Sequence, residues 1–243
     1  MKKYSITLFF LLISMTALAQ DALEPIDSTS TIGKRTSSTT ALYKQELQRL
    51  LVPQNAAFWM QLRPSFHPES SIAYDSTAHA LIYTKVDKSI WNCVYNATNK
   101  TKKIRQNSYN RKDVPRKKPR HYHAPNVVTY TLVISDSVAQ KLRSLWQGAV
   151  LGAKQNTSGW IIVDGTTWEF CIDGKHAKTK GFGQDLVRIP KLLNLMDFLI
   201  EATQKGNTES LLSKQENIDN LISLFPLHPE EGRGKASLKE TSE

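Results

Sequence analysis

Two cysteines, six histidines and a dense run of cations are the side chains of this sequence with the most chemistry to offer. A thiol becomes a nucleophile when a base lies beside it. Cys171 sits between Phe170 and Ile172 in a segment that alternates like a strand, and His176 lies beyond an Asp-Gly turn, so no Cys/His relay is evident. No Gly-x-Ser-x-Gly nucleophile turn exists either. His121-Tyr122-His123 is the one close histidine pair, and residues two apart on a strand share a side and can share a metal ion. Zinc needs a third ligand, and Arg116, Lys117, Lys118 and Arg120 just before the pair repel a dication, so no metal is expected. Asp164 and Asp173 suggest a carboxylate pair for acid/base work, but each precedes glycine in a turn, where its backbone preference is reason enough. No catalytic residue is assigned on this reading.

The cations are the sharper signal. Between Thr98 and His123 stand Lys100, Lys102, Lys103, Arg105, Arg111, Lys112, Arg116, Lys117, Lys118 and Arg120 against one acid, Asp113, for a local charge of +9. Tyr95, Tyr109 and Tyr122 are interspersed with them, a composition able to neutralise phosphates or sulfates and to stack on sugars and bases. The whole chain carries +10, so this one segment accounts for most of the excess. The expected partners are an anionic envelope glycan, lipid head groups or an acidic protein.

Nucleic acid is the less natural partner because of the N-terminus. Lys2 and Lys3, an apolar run from Ile6 to Leu18, and Ala17-Leu18-Ala19 before Gln20 have the form of a secretory signal peptide over residues 1–19. The run is too short to span a bilayer comfortably, and no transmembrane anchor is expected in the remaining chain. Cleavage leaves 224 residues with 30 basic and 22 acidic side chains. Export also permits a disulfide between Cys93 and Cys171, worth about 4 kcal/mol for so long a loop in the chain-entropy model; the alternative is two separate, partly buried thiols.

The elements that must position these residues follow from hydrophobic period. Residues 20–40 are rich in Ser and Thr and read as a tether, with one α+β domain over 41–225 and a polar tail over 226–243. A helix begins near Ala41 with Tyr43, Leu47, Leu50 and Leu51 on one face and ends at Pro53. Ala57 to Phe66 alternates as a strand, with Phe58, Met60 and Leu62 opposite Trp59, Gln61 and Arg63. Ser71–Tyr74 and Ala80–Val86 flank an Asp75-Ser76-Thr77 turn, and the basic loop occupies 98–125. Val127–Ile134 is a strand, followed by a helix bearing Val138, Leu142, Leu145, Trp146, Ala149 and Val150. Trp160–Val163, Thr167–Ile172 and Lys175–Lys180 form hairpin strands around Asp164-Gly165 and Asp173-Gly174. A helix after Pro190 carries Leu192, Leu193, Met196, Leu199 and Ile200, and a last one runs from about Glu209 to Phe225. The expected architecture is an antiparallel sheet of hairpins with three to four helices packed mainly on one face. No Gly-rich loop opens a helix after a strand, so no dinucleotide or other cofactor is expected.

Trp160 to Phe170, with its Asp164-Gly165-Thr166 turn, the helix before it and the Leu-rich helix after it, resembles small exported proteins of Bacteroides-like bacteria over residues 127–203. The resemblance implies an α+β fold and assigns no catalytic residues. It also implies O-glycosylation at an Asp followed by Ser or Thr and a small or aliphatic residue or Thr, with Ser28 in the tether as the candidate; Asp75-Ser76-Thr77 and Asp136-Ser137-Val138 match as well, the last also as a helix cap. The expectation is an exported, non-enzymatic binding or structural protein of the cell envelope, and the alternative is an exported hydrolase-like enzyme whose site is assembled from distant residues.

Overall fold

The computed structural model describes residues 23–26, 38–98, 122–153, 165–180 and 187–226. Leu23 and the two-residue strand β1 (Glu24–Pro25) precede helix α1 (Ser38–Leu51), then strands β2 (Ala56–Arg63), β3 (Ser70–Asp75) and β4 (Ala80–Val86). Helix α2 covers 90–98, followed by β5 (Val127–Val133), α3 (Asp136–Leu151), β6 (Thr167–Ile172), β7 (Lys175–Lys180), α4 (Arg188–Lys205), α5 (Thr208–Leu212) and α6 (Gln215–Leu224). The strands form one antiparallel sheet in the order β1-β7-β6-β2-β3-β4-β5, the α+β class that the alternating patterns predict.

Local chemistry sets the turns. Asp75 Oδ1 accepts from the amides of Thr77 and Ala78 at 2.8 and 3.0 Å, closing the β3–β4 turn. Asp173 (φ 50°) and Gly174 (φ 74°) both take the left-handed conformation of a two-residue hairpin turn, which fixes the register of β6 on β7. Ser135 Oγ accepts from Val138 N to cap α3. Gly206 ends α4 in the left-handed conformation, and Asn207 caps α5 through Ser210 N at 3.1 Å.

Alternation gives the sheet two different faces. Phe58, Met60, Ile72, Tyr74, Leu81 and Phe170 face α3, α4 and α6 in the main core. Trp146 is its centre: the ring lies 4.9 Å from Phe58 and 5.8 Å from Phe170 between centroids, and Nε1 donates to the Trp59 carbonyl at 3.0 Å. The opposite face is covered by α1 and α2, where Leu47, Leu51, Val86, Ile90 and Val94 form a smaller core. Buried Glu69 holds that layer in place: its carboxylate accepts from Ile90 N at 2.7 Å, Trp91 N at 3.2 Å, Ser89 Oγ at 3.2 Å and the Tyr43 hydroxyl at 3.1 Å. A carboxylate at a helix start satisfies amides that have no partner within the helix.

The structure differs from the sequence reading at several points. Leu23 is buried in the main core and Ile26 N donates to the His176 carbonyl at 2.9 Å, so 23–26 belong to the fold and not to a tether. Helix α1 starts at Ser38, three residues early, and α2 has no counterpart in the sequence reading, because its capping group, Glu69, lies some twenty residues upstream. The last helix is two, α5 and α6, separated at Ser213–Lys214. The signal peptide over 1–19, the strand expected at Trp160–Val163 and the tail beyond Pro226 lie outside the described residues. Among the described residues, no helix is long and apolar enough to cross a membrane.

Gly148 marks where α3 meets the chain leaving α6. A Cβ there would stand 2.0 Å from the Phe225 carbonyl oxygen, which is backbone and cannot swing aside. Helix propensity alone would make Gly148→Ala stabilising by about 0.5–1 kcal/mol. The clash reverses the sign, and the substitution is expected to destabilise the protein by about 1–3 kcal/mol in urea denaturation; an unchanged or raised midpoint would refute this packing.

Candidate functional site

On the face of the sheet opposite the main core, the Asp173-Gly174 turn pairs Cys171 of β6 with His176 of β7. Directly paired residues project to the same side, so thiol and imidazole meet: Cys171 Sγ lies 3.6 Å from His176 Nε2. Glu169, two residues before Cys171 and therefore on the same face, holds the other ring nitrogen, with Nδ1 3.1 Å from Oε1. Arg63, from β2, donates to the second Glu169 oxygen, Oε2. Trp59, directly opposite Cys171 on β2, sets its ring edge-on to the imidazole at 5.5 Å between centroids. Four residues from three adjacent strands thus form a chain from thiol to imidazole to carboxylate to guanidinium.

The electrostatics follow from these contacts. The hydrogen bond to Cys171 and then that to Glu169 hold the His176 pKa up to about 10, against the opposing effect of burial. In its cationic form the imidazole donates Nδ1–H to Glu169 and Nε2–H to sulfur. Burial pushes the Glu169 carboxyl up, but the His176 hydrogen bond and the charges of Arg63, His176 and Lys44 of α1 outweigh it, and its pKa lies below the ordinary glutamate value. Cys171 itself is 7% exposed, packed on Trp59 and Ala73. His176 is the more open member, so access to the sulfur runs past the imidazole. Gln61, between Glu169 and Ser71 in the sheet, is 3% exposed, and its Nε2 has no partner among the described residues. A shallow depression of about 210 Å³ bounded by Phe58, Tyr74, Asp136 and Arg143 lies elsewhere and touches none of these groups.

In the sequence His176 lies beyond the Asp-Gly turn from Cys171, which gives no relay along the chain. A two-residue turn makes a separation of five a direct cross-strand pair, and Asp173-Gly174 was the signal that could have located it. Arg63 and Gln61 come from more than a hundred residues away, and nothing local marks them.

The other candidates fall in different places. Both cysteines are free, Cys93 on α2 and Cys171 on β6, so the structure shows two separate thiols and not a bridge. Burial, then the charge of Glu69, pushes the Cys93 thiol pKa up. His121 lies outside the described residues and His123 is exposed; among the described residues no group of three potential ligands could hold a metal. Asp164 is likewise outside, and Asp173 accepts from Arg143 at 2.9 and 3.1 Å in its turn. Ser28 and the ten cations from Lys100 to Arg120 are outside the described residues, but the ends of the basic segment are not. The Thr98 hydroxyl accepts from Thr39 at 2.9 Å, and the Tyr122 hydroxyl donates to Glu46 at 2.7 Å, so both ends are tied to α1. Tyr122 also packs against the smaller core, so its ring is partly covered. Tyr95 stays exposed, its ring 6.0 Å from that of Trp91.

No protein-family model, curated protein or solved structure matches the chain. The site is therefore read from its own chemistry.

The raised His176 pKa makes a signed prediction. A group whose folded pKa lies above its unfolded value of 6.5 contributes stability that is fully present below 6.5 and is lost as pH rises through about 10. The stability gap between the native protein and His176→Gln should accordingly narrow from pH 6.5 to 10 in urea denaturation. On the acid side, Glu169 contributes above the ordinary value of 4.5, and that share is lost as pH falls through its lowered pKa. A gap constant across the alkaline window would show that the imidazolium is not held as described.

Proposed function

We propose that this is a protein exported to the cell envelope that works through a nucleophilic cysteine, Cys171, in hydrolase-like chemistry. The observation that carries the proposal is the relay of Cys171 Sγ 3.6 Å from His176 Nε2, with Nδ1 held by Glu169 at 3.1 Å. A thiol activated by an imidazole that a third group orients is the general arrangement for acyl transfer. In such a step sulfur adds to an acyl carbon while Nε2 holds the proton that the pair shares, and the leaving amine or alkoxide takes that proton. The neutral imidazole then takes a proton from water, whose oxygen attacks the thioester carbon and releases the sulfur. Glu169 fixes the ring and stabilises its cationic form, and Arg63 keeps that carboxylate ionised and aimed.

The reading is tested by thiol reactivity. Iodoacetamide at pH 7 should modify Cys171 about tenfold faster than Cys93, and His176→Ala should abolish the difference. Cys93→Ser should keep the fast phase and Cys171→Ser should remove it. Equal rates for the two thiols in the native protein would overturn the assignment.

A second reading, a non-enzymatic binding or structural module, rests on the +9 segment whose ends are both tied to α1. Its partners would be anionic envelope glycans, lipid head groups or an acidic protein. Deleting Thr101 to Arg120 should then abolish retention on heparin or lipopolysaccharide, and the intact protein should elute steeply with salt. Undiminished retention after the deletion would end this reading.

A further inference from the structure

We propose that the β5 edge of the sheet is a self-association surface that pairs with β5 of a second copy of this chain. β5 is the last strand of the sheet order, with nothing beyond it among the described residues. Its inward side is fixed by Ile134 N, which donates to the His79 carbonyl at 3.1 Å. By alternation, Val127, Thr129, Thr131 and Val133 turn their amides and carbonyls away from β4, toward the open side. A strand of seven residues is long for an unprotected edge, and natural edges are usually blunted by charge, proline or a bulge. The sequence Val127-Val128-Thr129-Tyr130-Thr131-Leu132-Val133 has none of these. Val127, Val128 and Val133 are exposed at 41, 42 and 65%.

The choice of a second copy comes from the order of these residues. The strand reads almost the same in both directions about Tyr130: valine at either end, an aliphatic residue next, then threonine on each side of the tyrosine. An antiparallel pairing related by a two-fold axis at Tyr130 sets Thr129 against Thr131 of the copy and Val127 against Val133 of the copy. All four are outward-facing positions, so each facing pair can exchange both hydrogen bonds. On the core side the same register lays Leu132 against the exposed Val128 of the copy. Facing threonines and facing β-branched residues are favourable cross-strand pairs, and the strand itself carries no charge; the neighbouring Lys85 ammonium is held over the Tyr130 ring of its own copy, 5.4 Å from the centroid.

The full chain is expected to sediment as a dimer at about 10 μM. Thr131→Pro removes an outward amide and should give a folded monomer, as judged by an unchanged circular dichroism spectrum. Thr129→Lys/Thr131→Lys brings like charges together in this register and should also give a monomer. Thr129→Lys/Thr131→Glu puts opposite charges across from each other and should restore the dimer. A native monomer at that concentration, a dimer that survives the double lysine substitution, or a failure of the charge swap to restore pairing would each overturn the proposal.

Discussion

The pairing of β2 with β6 is the contact on which the rest of the protein depends. It joins segments more than a hundred residues apart, from Phe58 opposite Ile172 to Arg63 opposite Thr167. Without it the chain would be two hairpin units, β2–β3–β4 with β5 and β6 with β7, each presenting an apolar face to water. Closing so distant a contact is entropically costly, and the compensation is visible on the core side. Trp146 lies across the seam on Phe58 from one strand and Phe170 from the other, while its indole nitrogen bonds the Trp59 carbonyl. Loss of a comparably buried aromatic costs about 3–5 kcal/mol, a large part of the stability of a domain this size.

The same pairing sets which side chains share the face of Cys171. Because side chains alternate, a register that puts Phe58 and Phe170 into the core must put Trp59, Arg63, Glu169 and Cys171 on the other side. A slip by one residue would bury Arg63 and Glu169 under α3 and expose the aromatics. Fold stability and site geometry are thus one constraint, because the polar chain ends at Arg63 across the β2–β6 seam that the main core closes on the other face. The second face tolerates these groups because each is paired: Glu169 with Arg63 and His176, Glu69 with Tyr43, Ser89 and the start of α2, and Glu46 with Arg49 and Tyr122. Buried carboxylates left unpaired would cost several kcal/mol each.

The sheet is unequal at its two ends. At one, β7 is followed by the short β1, whose neighbour Ile26 bonds the carbonyl of the catalytic candidate His176 and so steadies it. At the other, β5 ends with open hydrogen-bonding groups and valines in water. The Cys171 cluster and the β5 edge stand at opposite sides of the central strands, so pairing through β5 would leave Cys171 as accessible as in the single chain.

Strand and helix types were legible in the sequence wherever a local pattern carried them: the alternation of β2, the Asp-turn of β3–β4, the apolar stripe of α3 and the proline-led α4. Composition likewise determined the concentration of cations between Thr98 and His123 and the neutrality of β5. The α2 helix escaped because its cap is a side chain some twenty residues upstream, and Leu23 escaped because the few apolar residues of its stretch keep no period. Tertiary structure alone decided that Arg63 and Trp59 join the Cys171, His176 and Glu169 of one hairpin. The β6–β7 hairpin brings thiol, imidazole and one carboxylate oxygen together, and only a register spanning a hundred residues, set by apolar burial on the opposite face, brings the Arg63 guanidinium to the other.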